Sequence, residues 1–224
     1  MGAVRLVIFD CDGVLADSEV ISARVLAEQL RPYGLRMEQD YIFRNFVGQS
    51  FPKVADKIRS GFQLDLPPEF EAAYRARLVD AFADGLSATP GVGDVLDHLE
   101  CRKCVATSSS PPRVARTLRI TGLDHHFGAD VFTASEVAHG KPAPDLFLHA
   151  ASHMAVAPEN CLVIEDSMAG ILAAKAAGMA VWRYIGGSHM QGFSAADLAT
   201  PAGIPVFDNW AEFYQMAPQL KRKG

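Results

Sequence analysis

Short apolar runs alternate with stretches of helical spacing along most of the chain. Residues 4–9 form an apolar run rich in branched side chains, the pattern of a strand buried on both faces. Similar runs recur at residues 104–106, 129–132, 161–164 and 180–182, and residues 205–207 read as an edge strand. Between them, Val92, Val95, Leu96 and Leu99 fall on one helical face, as do Leu146, Ala150 and Met154. Residues 169–177 form a small-residue helix closed by Gly178. Strands alternating with helices predict an α/β fold with a parallel sheet and crossover helices, a Rossmann-like core.

Residues 19–87 break the alternation and read as helix throughout. Phe70, Tyr74, Leu78 and Phe82 repeat every fourth residue after Pro67-Pro68, and Gly85 marks a stop. Val54 and Ile58 lie on another helix, with Ser50 as its cap and Pro52 in its first turn. A further helix runs from Glu19 to about Leu30. The expected division is a core of residues 1–18 and 88–224 with an inserted α-helical cap at 19–87, hinged near Asp17-Ser18 and Ala88-Thr89-Pro90-Gly91.

Composition changes this picture little. Of 224 residues, 49% are hydrophobic and 21% charged, enough apolar material for a core that needs no disulfide or structural metal. The net charge of −5 argues against a nucleic-acid partner, and the basic Lys221-Arg222-Lys223 reads as a solvated end. Four scattered cysteines give no disulfide framework, and the Cys101-x-x-Cys104 pair runs into a strand, so its spacing is read as chance. No leader or spanning apolar run is seen, so a soluble cytoplasmic protein is expected, a monomer with a dimer as the alternative.

The polar residues that stand out sit where predicted strands end, the place where open parallel sheets bind ligands. Asp10 and Asp12 follow the first strand, and Thr107-Ser108 the second. Lys141 lies in the loop after the third, and Glu165-Asp166 end the fourth. Taken singly, Asp12 and Asp166-Ser167 read equally well as helix caps, Thr107 to Ser110 as a polar turn, and Lys141 as a solvated loop lysine. Taken together they form a convergent acidic site, and crowded carboxylates need a cation. Oxygen ligands favour Mg2+, which shares its shell with water and substrate phosphate. The seven histidines define no second site, with approach of His189 from its loop held as the lesser alternative.

These residues resemble the haloacid dehalogenase superfamily. Asp10-Cys11-Asp12-Gly13-Val14-Leu15 with Asp17-Ser18-Glu19 is similar to its first motif, and Val105-Ala106-Thr107-Ser108 to its second. Gly140-Lys141-Pro142-Ala143-Pro144-Asp145 is similar to the third, and Val163-Ile164-Glu165-Asp166-Ser167 with Gly170 to the fourth. The order matches, and the helical insert resembles the family's small cap. The nearest branch is that of β-phosphoglucomutase-like and sugar-phosphate phosphatase proteins. The resemblance implies Asp10 as nucleophile, Asp12 as acid and base, and Thr107, Ser108 and Lys141 at the phosphoryl group. It implies magnesium on the Asp10 and Asp166 carboxylates and the Asp12 main-chain carbonyl, with Glu165 acting through water, and a small phosphorylated metabolite as substrate. Asp12 argues against dehalogenation, because a halide leaving group needs no proton. The mutase branch carries a cap arginine that grips a second phosphate; here the stretch is Phe46-Val47-Gly48-Gln49-Ser50-Phe51-Pro52, with Phe51 in that place, so hydrolysis is expected over mutation. Lys53 and Lys57 do not resemble the Schiff-base lysine of phosphonatase relatives and read as a solvated helix face.

Overall fold

The computed structural model describes residues 3–222 and places the first strand, β1 (Leu6–Phe9), at the centre of one sheet. After it come the helices α1 (Glu19–Leu30), α2 (Gln39–Phe46), α3 (Phe51–Phe62) and α4 (Phe70–Ala83). The chain then alternates through α5 (Val92–His98), β2 (Arg102–Thr107), α6 (Pro111–Thr121), β3 (Val131–Thr133) and α7 (Asp145–His153). It finishes with β4 (Cys161–Glu165), α8 (Met168–Ala176), β5 (Ala180–Tyr184), β6 (Val206–Phe207) and α9 (Phe213–Met216). Lys223, part of the basic end noted in the sequence, lies outside the described residues.

The sheet is six-stranded and wholly parallel, in the order β3-β2-β1-β4-β5-β6. An apolar β1 is what such an order requires, since β1 pairs on both edges, Phe9 lying opposite Val105 on one side and Ile164 on the other. Alternate side chains enter opposite layers. Val7 and Phe9 join Val105, Ile164, Trp182 and Trp210, whereas Leu6 and Ile8 join Cys104, Ala106, Val163 and Phe147. Strand order reverses beside β1, because β2 lies on one side of it and β4 on the other. The crossovers leave in opposite directions there, and the crevice at the carboxyl ends opens above Asp10.

Residues 16–86 build a third apolar cluster of their own, in which Leu26, Leu30, Ile58, Phe70, Leu78 and Phe82 are buried. The two connections to this segment run side by side: Asp17 N–H donates to Ser87 O at 3.0 Å, and Thr89 N–H to Leu15 O at 2.9 Å. Ser108 Oγ donates to Gly48 O at 3.1 Å across the gap between segment and sheet.

Several local expectations shift. Ser50 stands at the N-cap position of α3, but its side chain makes no capping bond. Leu99 is buried as expected, yet extended, because α5 ends at His98. All four cysteines are free thiols, and burial pushes Cys101 up to about 11, the opposite of a reactive cysteine. No helix among the described residues is long and apolar enough to cross a membrane.

Candidate active site

Asp10 is the residue immediately beyond β1, and its N–H continues the ladder by donating to Ile164 O at 3.0 Å. Its side chain is therefore aimed by the sheet itself. Lys141 reaches it from the loop before α7, with Nζ 2.6 Å from Asp10 Oδ1 and 2.6 Å from Glu165 Oε1. Ala106 O accepts the third proton at 3.1 Å. The reading of Lys141 as a solvated loop residue fails, since the side chain is fully buried. Burial disfavours its ammonium, but the Asp10 and Glu165 carboxylates outweigh that and hold its pKa above the ordinary lysine value.

Glu165 is locked further by Ser167, whose N–H and hydroxyl both donate to Oε2 at 2.8 and 2.9 Å. Ser167 also caps α8 by accepting the Gly170 N–H, so the capping alternative belongs to Ser167 and not to Asp166. Neither carboxylate oxygen of the buried Asp166 has a hydrogen-bond partner among the described residues. Oxygens of Asp10, Glu165 and Asp166 lie within 4.8 Å of one another. Burial, first of all, pushes Asp10 and Asp166 well above the usual carboxylate range, and mutual repulsion with Glu165 adds to it in both. Three buried carboxylates against one ammonium, with Asp166 lacking a hydrogen-bond partner among the described residues, fit a hard divalent cation held by oxygen.

Asp12 is held differently. Oδ1 accepts from Ser18 Oγ at 2.6 Å and Arg113 Nη2 at 2.7 Å, and Oδ2 from Ser109 Oγ at 2.6 Å. Burial opposes its charge, yet the Arg113 guanidinium and these hydroxyls carry its pKa below the ordinary value. Two carboxylates two residues apart thus sit in opposed environments. Thr107, buried at the end of β2, accepts the Ser109 N–H at 3.1 Å and keeps its hydroxyl proton to donate. The Ser108 hydroxyl is engaged by Gly48 O at 3.1 Å.

Arg113 is the site residue that pattern reasoning passed over; Ser18 stood only within the first motif and a hinge, and His189 only as the lesser alternative. Ser109 lay inside the polar run after β2, but Arg113 joins Asp12 across 101 positions of chain, a distance no local pattern spans. His189 is buried with Nε2 3.0 Å from Asp166 Oδ2, so the lesser alternative for this residue is the one realised. Lys53 corrects another reading: its stem is exposed, but its ammonium donates to Gly140 O at 3.1 Å and Lys141 O at 2.8 Å. Phe51 stacks on Tyr74 at 4.5 Å between centroids. These aromatics and Leu78, Val79, Phe82 and Arg113 wall a cavity of about 330 Å3 between α4 and the turn that follows β2.

The family model of haloacid dehalogenase-like hydrolases matches residues 4–178, a span that contains every motif described above. The chain belongs to this family. Among haloacid dehalogenase-like relatives, the 6-phosphogluconate phosphatase of Escherichia coli (strain K12) is 30% identical over 84% of this chain and 86% of its own length. The fructose-1-phosphate phosphatase of the same organism is 38% identical over 77% of this chain and 92% of its own. A HAD family hydrolase from Deinococcus radiodurans R1, solved with bound phosphate and sodium, superposes with a TM-score of 0.77 at 31% identity, covering 100% of each chain.

Proposed function

We propose that this hydrolase is a magnesium-dependent phosphatase that cleaves a small phosphorylated metabolite, a sugar or sugar-acid phosphate, through an aspartyl-phosphate on Asp10. The observation that carries the reading is the triple contact of Lys141, which pins Asp10 Oδ1 and leaves the other carboxylate oxygen free to act. A phosphoric monoester hydrolase is also what the two Escherichia coli relatives support, since both carry phosphatase names. Magnesium would be held by the Asp166 and Asp10 carboxylates and the Asp12 carbonyl, with Glu165 acting through water. When bound, it would offset the charge of the carboxylates and phosphoryl oxygens.

In this mechanism Asp10 attacks phosphorus in line with the leaving oxygen. Thr107 donates its hydroxyl to a phosphoryl oxygen, as does the Ser108 N–H, and Lys141 balances the charge in a site closed to water. Asp12 gives the departing alkoxide a proton, taken up when the ester binds as its monoanion and the carboxyl leaves Arg113, and afterwards takes one from the water that attacks the phosphoryl group. The ion pair with Arg113 favours the ionised form, which suits the second of these tasks. Residues 19–87 serve as the cap, moving on the paired connections at 17–18 and 88–91 and closing through Ser108–Gly48 and Lys53. The reading needs one chain only and no nucleic acid, and a cytoplasmic monomer is the setting that suits it.

A phosphomutase on the same scaffold is the competing reading. Phe51, turned into an aromatic stack at the place where that branch carries an arginine, favours hydrolysis. Asp10→Asn keeps the side-chain size and the contact to Lys141 but removes the nucleophile. Assayed with magnesium and a generic phosphate ester, it is expected to lose on the order of 10^4-fold or more in kcat. Full retained turnover would remove Asp10 from that role. Appearance of positional isomers in place of free phosphate, on adding a sugar bisphosphate, would transfer the chain to the mutases.

A further inference from the structure

His189 follows β5 in the Gly186-Gly187-Ser188 turn and belongs to none of the motifs that announce the site. Its imidazole is buried, and neither ring nitrogen has a hydrogen-bond partner among the described residues. Buried polar atoms left unpaired are rare enough to call for an explanation. The ring is nevertheless tightly placed. A Cβ on Gly13 would stand 2.9 Å from His189 Cε1, and one on Gly187 would stand 2.8 Å from Cε1 and Nδ1. On a third side lies Phe43 of α2, edge-on with centroids 5.9 Å apart. Two glycines and an aromatic from the helical segment thus hold Nε2 against Asp166 Oδ2 at 3.0 Å, close enough to donate but misaligned. Asp166 in turn has no other partner.

We propose that His189 is a positioning residue for Asp166: its Nε2–H takes Oδ2 when the carboxylate turns to a cation, fixing Oδ1 as the ligand atom. The inference rests on the reading of Asp166 as a magnesium ligand. Two orphaned groups at contact distance satisfy each other with a small rotation of the carboxylate, which a core histidine packed for bulk alone does not explain. A carboxylate free to swing offers a cation either oxygen or both; one tied at Oδ2 is pre-oriented, and loss of such an outer partner costs about 10–100-fold in metal affinity.

The test is magnesium binding to the full chain by calorimetry, without substrate, alongside thermal unfolding of the metal-free protein. His189→Phe keeps an aromatic ring and removes the donor, whereas His189→Gln returns an amide N–H near the position of Nε2. The expected result is Mg2+ affinity about 10–100-fold weaker in His189→Phe and restored to within a few fold in His189→Gln. Equal affinity in all three proteins overturns the proposal. So does a loss of affinity that tracks a lowered Tm and that His189→Gln does not recover, for that is packing alone. Asp166→Asn separates the two readings. If it abolishes Mg2+ binding while His189→Phe does not alter it, positioning alone fails. If the wild-type chain binds no Mg2+, or Asp166→Asn changes nothing, the metal reading falls and this proposal with it.

Discussion

Lys141→Met is expected to cost this enzyme both its turnover and part of its stability. The ammonium is wholly buried and donates to Asp10, Glu165 and Ala106 O. Methionine matches the stem but not the charge, and leaves two carboxylates facing one another with Asp166 close by. Breaking a buried pair from one side strands the other charge, at about 3–5 kcal/mol. Glu165 keeps both Ser167 donors, so the damage concentrates on Asp10, whose free oxygen is no longer fixed for attack. Loss of one preorganised electrostatic contact of this kind lowers kcat by about 10^2–10^3-fold. Denaturant unfolding and steady-state kinetics read the two effects separately. A variant with wild-type kcat would show that Lys141 is structural only.

The second large effect is at Gly13. With φ of +79° it occupies the left-handed region, and a Cβ there would overlap Asp166 Oδ2 and crowd the His189 ring. Gly178 shares the conformation, with φ of +73°, but a Cβ there meets nothing within 4 Å. The pair separates backbone strain from site collision. Gly178→Ala should lose about 1 kcal/mol, the cost of a left-handed alanine. Gly13→Ala should lose about 3 kcal/mol or more, because a clash in a packed interior adds to the strain. It should also lose measurable Mg2+ binding, since Asp166 must move away. Equal losses in the two variants would mean that the Gly13 surroundings yield, and that the carboxylate site is looser than its geometry indicates.

What the sequence disclosed and what it withheld divide along a physical line. The strands that end at Phe9, Thr107 and Glu165 were legible because buried parallel strands write themselves as continuous apolar runs, and the sheet then delivers its last or next residue to the edge. The helical insert was legible from its fourfold spacing, and Phe70, Tyr74, Leu78 and Phe82 are all buried. Contacts set by long-range closure were not. Arg113 meets Asp12 only because α6 begins beside the turn after β2, and Lys53 finds the carbonyls of residues 140–141 only because α3 is folded over that loop. The same spacing that put Lys53 on an exposed face was right about its stem and silent about its tip. His189 lay on a loop whose course no periodicity describes, and it was the two glycines beside it that made room for a ring against Asp166.

The proposed mechanism requires a covalent phosphoryl group on Asp10, and Asp12→Asn makes it observable. With p-nitrophenyl phosphate the leaving group needs no proton, so the first step proceeds, while hydrolysis of the intermediate lacks its base. The measurement is a rapid acid quench of that variant with magnesium, followed by mass spectrometry of the peptide containing Asp10. A burst of nitrophenolate with a matching amount of phosphoryl group on Asp10 is the predicted result. A phosphoryl group on another residue, or steady release with Asp10 unmodified throughout, would contradict it.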